Sequence, residues 1–365
     1  MKRRFCSLEK LVLLSLIILF LPTCIDEITI DTPEGAESAI VVQGSLVYGN
    51  PTIIEIDISR LFNFKFLSLN TAFASAGWIE NDLGQRVDIK RRGDGTFRTA
   101  IPLDDPDFEI DFDRIYQIGV LMGDGRTFTS SPEPLHRVPE IDSIGFEIGS
   151  QFVPSLLDPE LSILDSVAKF SVYTPLQVNA ESERRHLKWR YSRTYQVTEF
   201  PFPDEQKTCY IESEVGVFAP KSFDPTSGDG DYLSGFEIFR QRPAHHFNEG
   251  YVFSLYQESL SEGAFRYWNL IEQLLLRDGN MFEAPAGRLI TNISNPDDPK
   301  DSVYGYFYAT QRDTVRRYIS PGFFNNPPMY CPNFIGVEQP PKVCTDCLTG
   351  ELGSQDTPPE YWDPE

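Results

Sequence analysis

The chain has few basic residues for its acidic content, few histidines and no long hydrophobic segment. Lys and Arg number 32 against 54 Asp and Glu, giving a formal net charge of -22, and only 4 histidines are present. Such a negative surface repels phosphate backbones, so we expect no nucleic-acid partner. The longest apolar run, Leu11–Leu21 with Ser15 as its one polar residue, is too short as a helix to cross a hydrocarbon core of about 30 Å.

Common catalytic signatures are also missing. The sequence contains no HExxH, GxSxG, P-loop or dinucleotide-binding motif. We therefore expect a non-catalytic protein without an organic cofactor. Hydrophobic residues at 41% and aromatic residues at 13% nevertheless exclude a disordered chain, because they suffice to build a core.

The amino terminus has the pattern of a bacterial lipoprotein signal peptide. A basic start and the short apolar run lead through Leu21–Thr23 directly into Cys24, the position at which lipid is attached. We predict a signal peptide over residues 1–23, acylation (palmitate) of Cys24, and an acidic tether over residues 24–38. The alternative is an ordinary secreted protein in which Cys24 is free.

Lipidation predicts the location of the folded body. Several acyl chains would hold the protein on a bilayer outside the cytoplasm. Asp26 and Glu27 directly after the cysteine favour the cell surface, although they also suit a simple acidic tether.

The remaining cysteines predict disulfide bonds. Cys209, Cys331, Cys344 and Cys347 would lie in an oxidising compartment, where two disulfides with three possible pairings are expected. A zinc site made of four sulfurs is one alternative, and free thiols are the other.

Strand-like patterns dominate the rest of the chain, which we predict to be mainly β. Residues 39–130 alternate apolar and polar side chains between Asp-Gly and Asn-Gly-type turns, as in an immunoglobulin- or transthyretin-like sandwich. Residues 131–139 form a Pro-rich connector. A larger β-rich domain over residues 140–330 and a Cys-containing irregular tail over residues 331–365 complete the predicted organisation.

One helix is predicted near residues 260–277 of the second domain. Ser259 and Glu262 have the spacing of a capping box. Four apolar residues recur on one helical face, as expected for packing against a sheet: Ala264, Trp268, Ile271 and Leu275.

Two acidic segments are candidates for structural calcium, because carboxylate oxygens at high density suit this ion. The first contains Asp105, Asp107 and Glu109, and the second contains Asp224, Asp229 and Asp231. Neither has the glycine and glutamate positions of an EF-hand. The alternative for the first segment is a strand with one acidic, solvated face.

An aromatic strand is a possible sugar-binding platform. Tyr304, Tyr306 and Tyr308 share one face if the segment is extended. The alternative is a stripe in the core or in an interface. Ligand-binding residues are otherwise not identified by the sequence.

Several segments, in this order along the chain, resemble one family. They are Ile40–Gly44, Gly95–Arg98, Val138–Ser143, Ser259–Trp268, Gly279–Pro285, Thr291–Ile293 with Tyr304–Phe307, and Cys344–Cys347 followed by Pro359–Trp362. Together they resemble a Bacteroidota lipoprotein family catalogued as domain of unknown function forty-two forty-nine, over residues 37 to 362. The Gly350–Gly353 turn departs from the family pattern.

This resemblance implies a surface or outer-membrane lipoprotein associated with a TonB-dependent transporter, and it carries over no functional residue. Our leading hypothesis is a non-catalytic accessory subunit that captures or gates a ligand for such a transporter. A structural or adhesive surface protein is the first alternative. A surface glycan or peptide hydrolase is the second.

Overall fold

The computed structural model describes residues 39–60, 72–93, 95–155, 158, 161–199, 207–215, 220–276, 290–324, 342–349 and 354–363. The predicted signal peptide, Cys24 and the tether over residues 24–38 lie outside the described residues. Ser38–Glu365 forms one compact unit. In the described part, no helix combines the length and apolarity that a membrane crossing requires.

Alternating sequences form the predicted strands, so the mainly β fold is confirmed. The first sandwich contains β1 (Ile40–Tyr48), β2 (Thr52–Arg60), β3 (Ala74–Asn81), β4 (Arg86–Asp88), β5 (Thr96–Ile101), β6 (Ile115–Met122), β7 (Thr127–Ser130) and β8 (Glu133–His136). The strands that follow are β9 (Ser143–Pro154), β10 (Ser162–Pro175), β11 (His186–Thr198), β12 (Thr208–Val215), β13 (Lys221–Phe223), β14 (Tyr232–Gln241), β15 (Tyr251–Leu260), β16 (Ile293–Ser294), β17 (Val303–Tyr304), β18 (Phe307–Ile319) and β19 (Ser354–Gln355).

The described strands form two sheets, one of 16 strands and one of three. The larger sheet runs in the order β16-β7-β6-β8-β18-β15-β11-β12-β19, with β1–β5, β13 and β17 joined at its side. The smaller sheet has the order β14-β10-β9. It packs on β11, β15 and β18 to make the second sandwich, in which the rings of Phe170 and Phe253 are 4.1 Å apart.

The strand β18 belongs to both sandwiches. Its first half pairs in parallel with β1, with Gly44 opposite Phe307, and its second half pairs antiparallel with β15, with Glu258 opposite Arg312. Gly305 makes the turn before it at φ +105°, where a Cβ would collide with the Val42 carbonyl oxygen. A glycine is therefore needed to end β17 and begin β18 against β1.

Two large hydrophobic cores result from this arrangement, and a third, smaller cluster lies under the helix that follows β15. The first core holds residues of β1–β8 together with Ile293, Val303 and Phe307 from the distant C-terminal part. The second core holds residues of β9–β15 and the later half of β18. Because β8 lies within residues 131–139 and pairs with both β6 and β18, this segment is part of the sheet as well as a link between the cores.

The predicted helix is confirmed as α1 (Glu262–Leu275), but its start differs from the prediction. Ser259 still belongs to β15, where its Oγ donates to the Arg137 carbonyl. The N-cap is Ser261, whose Oγ accepts from the Ala264 amide at 3.1 Å. The capping-box assignment was wrong because β15 extends to Leu260, which places Ser259 inside the strand.

The predicted apolar stripe of α1 is only partly buried. Ala264 is fully buried, whereas Leu275 is 46% exposed. The face that packs inward also uses Phe265, Tyr267 and the carboxylate of Glu272. Of the irregular tail, the described residues contain α2 (Lys342–Thr345), one 3₁₀ turn and β19.

The acidic segment before β6 is a series of turns, so its interpretation as a strand was wrong. Asp105 and Asp111 each accept the backbone N–H two residues ahead, at Asp107 and Asp113. Such local side-chain bonds compete with strand pairing. Phe108 and Ile110 nevertheless reach the first core.

Candidate functional site

The polar face of the larger sheet lies opposite the second core. In β11 the residues Leu187, Trp189 and Tyr191 enter the core, while Lys188 and Arg190 alternate with them and point to the other side. The strands β12, β15 and β18 show the same alternation in register with β11. Polar side chains from four strands thereby share this surface, which we call the polar face.

Three charged residues lie side by side across the polar face. Lys188 pairs with Glu258 in the register of β11 and β15, and Glu258 pairs with Arg312 in the register of β15 and β18. The Lys188 Nζ is 2.7 Å from Glu258 Oε2. Arg312 donates to Glu258 Oε1 through Nε at 2.9 Å and Nη2 at 2.6 Å. We call Lys188, Glu258 and Arg312 the charged row.

The middle of the charged row is buried. The side chain of Glu258 is 0% exposed and that of Lys188 is 1% exposed, whereas Arg312 is 27% exposed. Burial lowers the pKa of Lys188 to about 8, although Glu258 acts to raise it. Burial alone would raise the pKa of Glu258, but Lys188, Arg312 and Arg190 together hold it well below its ordinary value.

Helix α1 covers the Lys188 end of the row. The Lys188 Nζ lies 4.2 Å from the centre of the Trp268 ring and donates to the Tyr308 hydroxyl at 2.7 Å. The helix is fixed in place by Glu272, which accepts from Lys221 Nζ at 2.8 Å. It is also fixed by the Gln43 side chain, which donates to the Tyr267 hydroxyl at 3.0 Å.

A cleft of about 430 Å³ opens beside the charged row. Its volume falls within the range of small-ligand sites. Charged, amide and aromatic side chains from both sandwiches and from α1 line it: Gln43, Asp57, Arg190, Glu212, Glu214, Tyr256, Trp268 and Arg312. The cleft therefore offers donors, acceptors and ring faces to one ligand.

The chain belongs to the family described as domain of unknown function DUF4249. The family model matches residues 25–316, which include every residue that lines the cleft. The family part of the resemblance is thus confirmed, whereas the Bacteroidota lipoprotein assignment stays a prediction. No curated protein matches the chain.

The residues of this DUF4249 cleft were not identified from the sequence. Polar and apolar side chains alternate from His186 to Ser192, and that signal places Lys188 and Arg190 on one strand face. No local signal places Glu258 and Arg312 next to them, because the alternation within a strand does not determine which other strands pair with it.

A second buried carboxylate lies near the start of α1. Glu133 of β8 is 6% exposed. It accepts from the Tyr306 hydroxyl at 2.6 Å, from Ser261 Oγ at 2.7 Å and from Asn292 Nδ2 at 3.3 Å. Burial raises the pKa of Glu133, and these hydrogen bonds only partly oppose the shift.

The predicted disulfide bonding is borne out for three of the four cysteines. Cys209 of β12 and Cys347 are joined across 138 residues of sequence. Cys344 is also disulfide-bonded, and Cys331 lies outside the described residues. These bonds exclude a four-sulfur zinc site. They fasten the tail beside the polar face, where the Tyr361 hydroxyl lies 2.9 Å from Thr194 Oγ1.

The structure does not assemble the first calcium candidates into an ion site. Asp105 caps a local turn, Asp107 supplies the N–H of that turn, and Glu109 pairs with Arg114 at 2.9 Å.

The second set is similarly dispersed. Asp224 accepts from Thr226, and Asp231 is 3.6 Å from Arg184. Asp229 lies exposed in the same loop. Over the described ranges, no group of three or more His, Cys, Asp or Glu side chains is arranged to hold a metal.

The tyrosine platform is also not formed. Tyr306 is 5% exposed and Tyr308 is 6% exposed, so neither presents its ring to a sugar. Each hydroxyl instead donates to a buried carboxylate, Tyr306 to Glu133 and Tyr308 to Glu258. The alternative interpretation as a core stripe is correct for these two residues.

Proposed function

We propose that this protein is a non-catalytic, surface-facing outer-membrane lipoprotein that captures a ligand and delivers it to, or gates, a TonB-dependent transporter. The cleft between α1 and the polar face is the observation that supports ligand capture. The Cys24 pattern and the family resemblance support the membrane location and the transporter partner.

Side chains beside the cleft are fixed by hydrogen bonds within the protein, as in a preformed binding site. The charged row is fixed by hydrogen bonds among Lys188, Glu258, Arg312 and Tyr308. Helix α1 is held by its own polar contacts to β1 and β13. A ligand therefore meets side chains that are already ordered, which lowers the entropic cost of binding.

The location and the partner can be tested together. Mass spectrometry of the mature protein should find Cys24 as an acylated amino-terminal residue, and affinity isolation from outer membranes should recover a TonB-dependent transporter. Cys24→Ala should abolish membrane fractionation, whereas Cys6→Ala, inside the predicted leader, should not. An unmodified Cys24, or repeated isolation without a transporter, would contradict the proposal.

One observation favours a hydrolase as a second candidate. Glu212 and Glu214 lie two residues apart on β12, about 7 Å between Cα atoms, and both line the cleft. Glycosidases use two carboxylates separated by about 5–9.5 Å. Hydrolysis of a surface glycan that is lost in both Glu212→Gln and Glu214→Gln would establish this alternative.

A further inference from the structure

One side of the cleft adjoins a group of side chains with more positive than negative charge, of which Arg190 and Arg312 line the cleft. Lys188, Arg190 and Arg312 surround the single carboxylate of Glu258. Arg190 Nη2 stays 3.9 Å from Glu258 Oε1, too far for a hydrogen bond, and its side chain is 46% exposed. Among the described residues, the Arg190 guanidinium donates no hydrogen bond. It is therefore available to an anionic group of a ligand.

The rim of the cleft carries the opposite charge. Glu212 and Glu214 project from β12, and Asp57 projects from β2 of the first sandwich. In the part of the chain that the structure describes, neither Glu212 nor Glu214 has an ion-pair partner. These carboxylates are available to a cationic group of a ligand.

Strand geometry gives the approximate spacing between the Cα atoms of the residues that carry the two kinds of charge. Glu214 lies opposite Ser192, one strand across and two residues along from Arg190, which corresponds to about 8 Å. Glu212 lies opposite Thr194, which corresponds to about 14 Å from Arg190. An extended chain spans about 3.3–3.6 Å per residue, so these distances correspond to roughly two to four residues.

We propose that the cleft binds a short peptide by both free ends, with the carboxylate on Arg190 and the amino group on Glu212 and Glu214. The Trp268 and Tyr256 rings would pack against its side chains. A neutral sugar would leave charged groups of both signs without partners, which disfavours it. This inference rests on the proposed ligand-capturing function and names its ligand class.

The test uses the full-length protein in detergent and pools of mixed-sequence tripeptides in equilibrium dialysis. Free tripeptides should bind, while N-acetylated and C-amidated pools should each bind about tenfold or more weakly, because each lacks one charge-assisted contact. Equal binding of free and blocked pools, or no binding of free tripeptides, would overturn the inference. Maltotriose binding without peptide binding would leave ligand capture standing and remove only the peptide assignment.

Variants assign each end of the peptide. Glu214→Gln should weaken binding of free tripeptides about tenfold and leave binding of N-acetylated tripeptides unchanged. Arg190→Gln should also weaken binding of free tripeptides about tenfold, and it should leave binding of C-amidated tripeptides unchanged. Asp88→Asn, which neutralises an exposed acid of β4 outside the cleft, is the matched control and should change neither. Equal effects of Glu214→Gln on free and acetylated pools would contradict the assigned orientation. Thermal unfolding confirms that each variant is folded.

Discussion

Glu258 and Glu133 are two buried carboxylates that the fold treats in opposite ways. Each accepts a hydrogen bond from a tyrosine, and the two tyrosines, Tyr308 and Tyr306, are two residues apart in sequence. Glu258 is surrounded by three cationic side chains, whereas the contacts of Glu133 are neutral hydroxyl and amide donors. The pKa of Glu258 is therefore lowered and that of Glu133 is raised.

The difference shows that hydrogen bonds and counter-charges are not equivalent means of burying an acid. Three donors, one of them the N-cap Ser261 at the positive end of α1, do not outweigh burial at Glu133. Lysine and arginine partners do outweigh it at Glu258. The Glu258 side of the junction between the sandwiches is thus held by charge, and the Glu133 side by neutral polar contacts.

Removing the charge of Glu258 should have the largest effect. Glu258→Gln leaves Lys188 buried without a carboxylate, so we expect the free energy of unfolding to fall by about 3–5 kcal/mol in urea denaturation. The double variant Lys188→Met/Glu258→Met should recover part of this loss, because no unpaired charge stays fully buried.

Glu147→Gln provides the comparison for this variant. Glu147 pairs with Lys169 at 3.3 Å, but its side chain is 70% exposed. Breaking this pair should cost less than about 1 kcal/mol. Equal losses in Glu147→Gln and Glu258→Gln would mean that burial of the charged row does not matter.

The two tyrosines should differ by a smaller amount. Tyr308→Phe removes the hydroxyl that accepts from Lys188 and donates to Glu258, so we expect a loss of about 1.5–3 kcal/mol. Tyr306→Phe removes one hydrogen bond, to Glu133, and should cost about 1 kcal/mol. A larger loss in Tyr306→Phe would contradict the distinction between the two clusters.

Local patterns were sufficient to predict most strands and the helix. Alternating apolar and polar side chains predicted strands over residues 39–130, and β1–β7 lie within that range. The helix was recognisable from its apolar spacing. These features depend on neighbours in sequence, which is why sequence reasoning captured them.

Long-range pairing was not predictable in the same way. The parallel contact of β1 with β18 joins residues near 44 to residues near 307, and the charged row joins positions 188, 258 and 312. Glu133 lay in a segment interpreted only as a connector. The surroundings of Glu258 and Glu133, and the cleft beside Glu258, arise where distant strands become neighbours.

Glu133→Gln should have the smallest effect on stability, and the pH dependence of that effect tests whether the pKa values of Glu133 and Glu258 are shifted in opposite directions. Glutamine keeps the shape and one acceptor, and it removes a charge that burial disfavours, so at pH 7 we expect a change within about 1 kcal/mol. The folded pKa of Glu133 is raised above 4.5, so its stabilising contribution is complete below that pH and is lost as pH rises through the folded value. The wild type should therefore gain stability relative to Glu133→Gln as pH falls from 7 towards 4.5.

The folded pKa of Glu258 is lowered, so the contribution of Glu258 to stability is present above pH 4.5 and is lost on further acidification. The wild type should therefore lose its stability advantage over Glu258→Gln below pH 4.5. Urea denaturation of the wild type, Glu133→Gln and Glu258→Gln between pH 7 and pH 3.5 measures how the stability difference between the wild type and each variant changes with pH. If both differences change in the same direction as pH falls, the two carboxylates are not held differently.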